Sequence, residues 1–316
     1  MQIGFLTDGL GHLPFPQALD LVSKLGLTQV EIATGNWSSA PHIDLDAVVN
    51  DPAQIASLRA QIEQRGLHIE ALNASGNVLH PASGPDQDRV VRKTILLAEQ
   101  LGVSKIVMMS GLPAVNPGDQ VAPWITTCWP PENGHNLEKQ WQAAAEYWQA
   151  LVPFANDHGV TRIAVEMHAD QLVYNVPTLL RLRELAGDTV GANFDPSHLM
   201  WMGAEPIESV KALKGAIHHV HAKDTKIEPL SATRSLLETN FFDRREERAW
   251  NYVTLGEGHP RGLEFWGEFC AALRTSGYDG VLSIEHEDVA YAPEEGLDLA
   301  VTRLREAMSM LEHALS

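Results

Sequence analysis

Four short apolar segments of the chain end in side chains that could act together. VEMH carries Glu166 and His168, NFDPSH carries Asp195 and His198, HHVHAKD carries His219, His221 and Lys223, and SIEHED carries Ser283, Glu285 and Glu287. In an extended strand alternate residues share a face. Glu166 then lies with His168, His221 with His219 and Lys223, and Glu285 with Ser283 and Glu287. Charge buried beside an apolar strand is costly unless it is paired or holds a metal. Glu166, Asp195, His221 and Glu285 supply three carboxylates and one imidazole. Hard oxygen donors with a single nitrogen point to one divalent ion, Mn²⁺ first, with Mg²⁺, Co²⁺ or Zn²⁺ as alternatives. Each residue alone could cap a loop or balance a salt bridge, so the argument rests on their coincidence. His286 should face away from Glu285 as a structural residue. Glu287 is either a partner of the site or a rim charge.

These segments need a scaffold that brings four strand ends together. A helix-like stretch ending in Gly is followed at once by a β-rich stretch at Gly26, Gly66, Gly102, Gly159, Gly187, Gly215 and Gly277. Gly just past a helix end supplies the left-handed residue that closes the last turn. With the opening IGFLTD this predicts eight strands, followed by helical patterns such as PAQIASLRAQIEQR, RVVRKTILLAEQL and EKQWQAAAEYWQALVPFA. Eight β-then-α units predict one (β/α)8 TIM barrel over residues 1–316. An open doubly wound sheet fits less well, because Gly4, Gly9 and Gly11 do not make the GxGxxG of a phosphate loop.

Two connections are long: residues 112–137 after the fourth strand, and 225–262 after the seventh. Both belong to the carboxyl-end face, where barrels keep their chemistry, and predict lids or binding loops. A subunit contact, and so a homo-oligomer, is the plainer alternative. Phe5, Trp37, Trp129, Trp201 and Phe241 are aromatic candidates for stacking on a ligand, although scattered aromatics also serve as core.

Composition narrows the partners. With 23 Lys+Arg against 41 Asp+Glu the formal charge is −18, which argues against a nucleic-acid backbone as the main partner. Cys128 and Cys270 are far apart and form no CxxC, which excludes a cysteine-rich zinc site and suggests a reducing, cytoplasmic setting. The opening MQIGFLTDGLGHLPF does not read as a signal peptide, and no apolar run is long enough for a membrane span.

The strand ends VEMH, NFDPSH, HVHAKD and SIEHED resemble those of the xylose isomerase-like TIM barrels, the sugar phosphate isomerase/epimerase superfamily. The resemblance covers nearly the whole chain and implies metal ligands at Glu166, Asp195, His221 and Glu285. Glu166 and Glu285 would also face the substrate carbon, and His198 would contact substrate. Endonucleases of the same superfamily hold three metal ions and need a histidine at the end of strand four. Here MMSG places Ser110 there, and His80 in NVLHP alone cannot build such a cluster. Ketose epimerases of the group often carry an arginine soon after the strand-seven histidine. This chain has Lys223 and Lys226 instead, and Arg234, Arg244, Arg245 and Arg248 lie inside the long insertion. That insertion suits a larger or modified sugar.

The expected activity is therefore metal-dependent isomerisation or epimerisation of a small sugar. A carboxylate removes the proton beside a carbonyl, and an enediolate charge is stabilised by the cation. Glu166 and Glu285 are the expected catalytic pair, and His168, His198, Lys223 and His80 the expected substrate-binding residues. One alternative is a lyase or dehydratase of the same fold acting on a 3-keto-sugar, a keto-glycoside or an inosose. Another is a non-catalytic sugar-binding or partner subunit. Nucleic acid and membrane are not expected partners.

Overall fold

The computed structural model describes residues 1–315, with side chains through residue 310. In chain order the strands are β1 (Gln2–Leu6), β2 (Gln29–Ala33), β3 (His68–Asn73), β4 (Lys105–Met109), β5 (Arg162–Glu166), β6 (Val190–Phe194), β7 (Ile217–Ala222), β8 (Asp224–Ile227), β9 (Trp250–Val253) and β10 (Val281–Ile284). Eight of them close into a barrel in the order β1-β10-β7-β6-β5-β4-β3-β2, with parallel pairing throughout. These are the eight strands predicted from the glycine repeat. β8 and β9 form a separate antiparallel hairpin inside the seventh connection, which the sequence reading did not foresee.

The helices are α1 (Phe15–Lys24), α2 (Leu45–Val48), α3 (Pro52–Glu63), α4 (Gly84–Leu101), α5 (Glu132–Asp157), α6 (Val176–Ala186), α7 (Pro196–Met202), α8 (Pro206–Ala212), α9 (Ser231–Arg234), α10 (Gly262–Thr275) and α11 (Pro293–Leu315). The longer helices turn apolar residues toward the sheet. In α4, Val91, Ile95 and Ala98 recur at helical spacing and are fully buried. Gly102 closes α4 at φ 73°, the left-handed conformation the repeat predicted. Among the described residues no helix is long and apolar enough to cross a membrane.

The main core lies between strands and helices. Inside the ring the lower layer is small and apolar, formed by Ala71, Val107 and Ala164. Above it the filling changes. Glu31 on β2 hydrogen-bonds His219 and His221 of β7 and Ser283 of β10, although β2 pairs only with β1 and β3. Those bonds cross the barrel interior, so its upper layers are polar where barrels usually pack branched aliphatics. Register shifts fall at Val30/Glu31 and Ala192/Asn193, and such irregularities re-aim side chains.

The two long connections differ in what they do. Residues from the seventh line the cleft at the barrel mouth, whereas none of residues 112–137 does. The fourth connection is held instead by α5. Gln140 donates to the carbonyls of Pro113 and Pro123 at 2.7 and 3.0 Å, and Trp124 packs edge-on against Tyr174. The expectation of a binding loop there is corrected: length alone does not say which way a loop folds.

Candidate metal centre and cleft

Ligand atoms of Glu166, Asp195, His221 and Glu285 all lie within 4.8 Å of one another. Each comes from the carboxyl end of a different barrel strand, β5, β6, β7 and β10. The first three are buried and Glu285 is half-buried. Asp195 divides its oxygens between two tasks. It caps α7, with Oδ1 accepting from the Ser197 amide at 2.7 Å, while Oδ2 is left without a hydrogen bond. Glu166 accepts from Asn193 Nδ2 at 3.0 Å and pairs with His198 Nε2 at 2.8 Å. Glu285 lies 2.8 Å from His221 Nδ1 and 3.3 Å from Lys223 Nζ. Lys223 also reaches Glu287 at 2.6 Å and sits 4.2 Å over the Tyr252 ring.

Burial pushes the carboxyls of Glu166 and Asp195 above the usual range, and neighbouring carboxylates add to it. Burial works the same way at Glu285, but the Lys223 ammonium and His221 outweigh it and hold that group low. His221 is likewise opposed by burial, yet Glu31 and Glu285 keep it well above the ordinary imidazole value. His168 is pushed down to about 4 by burial and by His198, so its ring is neutral. Its Nδ1 lies 2.6 Å from the Ala169 carbonyl and is therefore the N–H, which leaves Nε2 as an acceptor.

A cleft of about 390 Å³ opens above this cluster, toward the small end of ligand pockets. Glu166, His168, His198, His221, Lys223, Glu285 and Glu287 line it. His219 and Ser283 lie below it, against Glu31. His286 faces outward against Gly296 of α11. His80 is not brought to the cleft. Its Nδ1 is engaged by Ser83 Oγ and the Ala82 and Ser83 amides before α4, so its expected role in substrate binding has no geometric basis here.

Of the aromatic candidates, Trp37 and Trp201 line the cleft. Phe5 is core, and Trp129 and Phe241 are exposed away from it. The insertion instead contributes Phe242, Trp250 and Tyr252. Trp250 stacks on Trp201 at 4.7 Å and 4°, and Phe242 stacks on Tyr252 at 5.6 Å. The arginines of the insertion do not line the cleft; Arg248 packs over Phe242 and Trp250.

Sequence reasoning missed five polar residues: Glu31, Asn73, Asn193, Tyr252 and Asp8. Tyr252 places its hydroxyl 2.9 Å from His198 Nδ1. Asp8 lines the early wall and accepts from Ser38 Oγ at 2.9 Å. An available signal was the lone acid in QVEIA, which alternation puts on the inward face.

The xylose isomerase-like TIM barrel family model matches residues 19–308. The chain belongs to this family. The uncharacterized protein YfiH of Bacillus subtilis (strain 168) is 45% identical over 314 residues, covering 98% of this chain and 100% of that protein. An inosose dehydratase of Clostridium botulinum (strain Alaska E43 / Type E3) is 25% identical over 291 residues, covering 90% and 87%. The crystal structure of IOLI protein, with a bound zinc atom, superposes with a TM-score of 0.69 at 20% identity, covering 98% of this chain and 99% of that one. At that identity the likeness speaks for the xylose isomerase-like fold alone.

Proposed function

We propose that this chain is a divalent-metal-dependent enzyme that removes a proton beside the carbonyl of a sugar or cyclitol. The observation that carries the reading is the convergence of three carboxylates and one imidazole on one point, with Asp195 Oδ2 lacking a hydrogen bond. A divalent cation fits that donor set. Glu166, Asp195, His221 and Glu285 would hold it, with Mn²⁺ first and Mg²⁺, Co²⁺ or Zn²⁺ as alternatives. When bound, the cation supplies Lewis-acid stabilisation of negative charge on adjacent substrate oxygens.

The chain's own residues do the rest. β5 and β10 are three places apart around the ring, so Glu166 and Glu285 approach a substrate from different sides. One removes the proton; the other returns one to the opposite face, which inverts the centre. Return to the neighbouring carbon gives aldose–ketose isomerisation instead. His168, through its free Nε2, and Lys223 hold substrate oxygens. The rings of Trp37, Trp201, Phe242, Trp250 and Tyr252 cover apolar faces of the substrate and limit water.

A second reading, elimination of water, is favoured by one feature. The Tyr252 hydroxyl lies in the cleft, joined through His198 to Glu166 at 2.9 and 2.8 Å. A hydroxyl so placed can protonate a departing hydroxyl while Glu166 takes the carbon-bound proton. The relative named inosose dehydratase agrees with it.

The test is incubation of metal-loaded protein with a panel of keto-sugars and inososes in D₂O. Deuterium incorporation at unchanged composition supports isomerisation or epimerisation, and loss of one water supports elimination. Glu285→Gln is expected to slow exchange by about 10²–10⁴-fold. No exchange across the panel with metal bound refutes the reading and favours a binding subunit.

A further inference from the structure

The four-donor cluster accounts for Glu166, Asp195, His221 and Glu285 but leaves a buried carboxylate unexplained. Glu31 enters from β2, on the far side of the barrel, and is 1% exposed. Oε1 accepts from Asn73 Nδ2 at 2.8 Å and lies 3.1 Å from His221 Nε2. Oε2 accepts from Ser283 Oγ at 2.7 Å and lies 2.8 Å from His219 Nε2 and 3.1 Å from His221 Nε2. A carboxylate offers about four lone-pair sites, and four side chains fill them. Glu31, His219 and His221 could by spacing alone form a second metal group, but Glu31 has no lone pair left for a cation.

We propose that Glu31 is a positioning residue that sets the metal affinity of the centre, by fixing the tautomer and aim of His221 from across the barrel. This rests on the reading of the four-donor cluster as a metal centre. An ionised carboxylate only accepts, so His221 Nε2 keeps its hydrogen, and Nδ1 is the nitrogen that would give up its proton and present a lone pair when a cation binds the cluster. A second contact agrees. Asn193 Nδ2 lies 3.0 Å from Glu166 Oε2, which identifies it as the amide nitrogen, and 3.1 Å from His221 Nδ1. A donor at that distance suits a lone pair at Nδ1, the tautomer that cation binding calls for. The ring is thus gripped at Nε2 from β2 and met at Nδ1 from β6, with its metal-facing nitrogen 2.8 Å from Glu285.

The test strips the full-length protein with chelator and titrates Mn²⁺ and Zn²⁺ into wild type and Glu31→Gln. One ion per chain is expected in both, with a ten- to hundredfold weaker Kd in the variant. The Gln amide keeps the size but turns a donor toward a ring nitrogen that must donate. Should the variant not fold, ¹⁵N shifts of His221 in Zn²⁺-loaded wild type decide. Coordination through Nδ1 with a protonated Nε2 supports the proposal, and coordination through Nε2 overturns it. Equal Kd in wild type and folded variant overturns it while leaving the metal centre standing. Two ions per chain overturn it as well. A wild type that binds no divalent ion removes the metal centre itself.

Discussion

Truncating Trp250 to Ala should loosen the insertion while leaving the barrel folded. The Trp250 side chain is nearly buried, stacks on Trp201, and lies under the Arg248 guanidinium at 4.7 Å. Its Nε1 donates to the Leu236 carbonyl at 3.1 Å. Removing a buried Trp costs about 3–5 kcal/mol. What decides where that cost falls is the grouping of the core. Ala249, Trp250 and Tyr252 form a cluster with Trp201 and Leu236, apart from the main core, on a two-stranded sheet that is marginal by itself. The base of the hairpin is tied independently. Asp224 accepts from the Gly256, Gly258 and His259 amides and from Trp266 Nε1, and Thr254 donates to Asp288. The loss should therefore appear as local opening of residues 228–250. Hydrogen exchange read by mass spectrometry should speed up there by about 10²–10³-fold, since each 1.4 kcal/mol is about a factor of ten. The melting temperature of the barrel should move by only about 2 °C, and KM should rise more than kcat falls, because Phe242 and Tyr252 lose their support. Cooperative loss of the whole fold, or unchanged exchange in that segment, would refute the reasoning.

Chelation is expected to lower the melting temperature, and Mn²⁺ at a hundredfold excess over Kd to restore about 2.7 kcal/mol, or about 5 °C; identical melting curves would contradict a native-state metal site. His218, half-buried on β7, tests the acid side. Burial pushes its pKa down to about 4, with Arg183, Arg162 and Lys105 adding to the shift. The folded value lies below the unfolded value of about 6.5, so its contribution is complete above that pH and is lost as pH falls toward 4. Wild type should therefore lose up to about 3 kcal/mol more than His218→Gln between pH 7.5 and 4. Parallel denaturation curves would falsify this.

The barrel was legible because each unit carries its own punctuation: an amphipathic stretch, a Gly that takes positive φ as Gly102 does at 73°, and a short apolar strand. The four converging side chains were legible for a different reason. Glu166, Asp195, His221 and Glu285 are charged or basic groups where an apolar strand gives no local excuse for them, and closure of the ring makes strand ends converge. Residues whose meaning depends on which strand lies opposite stayed hidden. Glu31 is one acid in QVEIA, and its partners on β7 and β10 are 188 to 252 residues away in the chain. Asn193 sits inside the NFDPSH segment but carries no charge, so nothing in its type separates it from packing until its amide is seen between Glu166 and His221.

The insertion shows the opposite limit. Its length placed it correctly at the mouth, yet the stacking candidate Phe241 is 81% exposed while Phe242 lines the cleft. No strand or helix periodicity spans 228–249 to say which neighbour turns inward. What turns Phe242 in is tertiary, namely Arg248 at 4.5 Å on its ring and the Tyr252 ring beneath it. Tyr252 in turn depends on β9 pairing with β8, and β8 begins one residue after Lys223. A strand of the insertion thus starts next to the cluster, which is why its partner can deliver a hydroxyl to His198. The chemistry of this cleft is therefore shared between a barrel that the sequence declares locally and a hairpin whose contribution exists only once that barrel has closed.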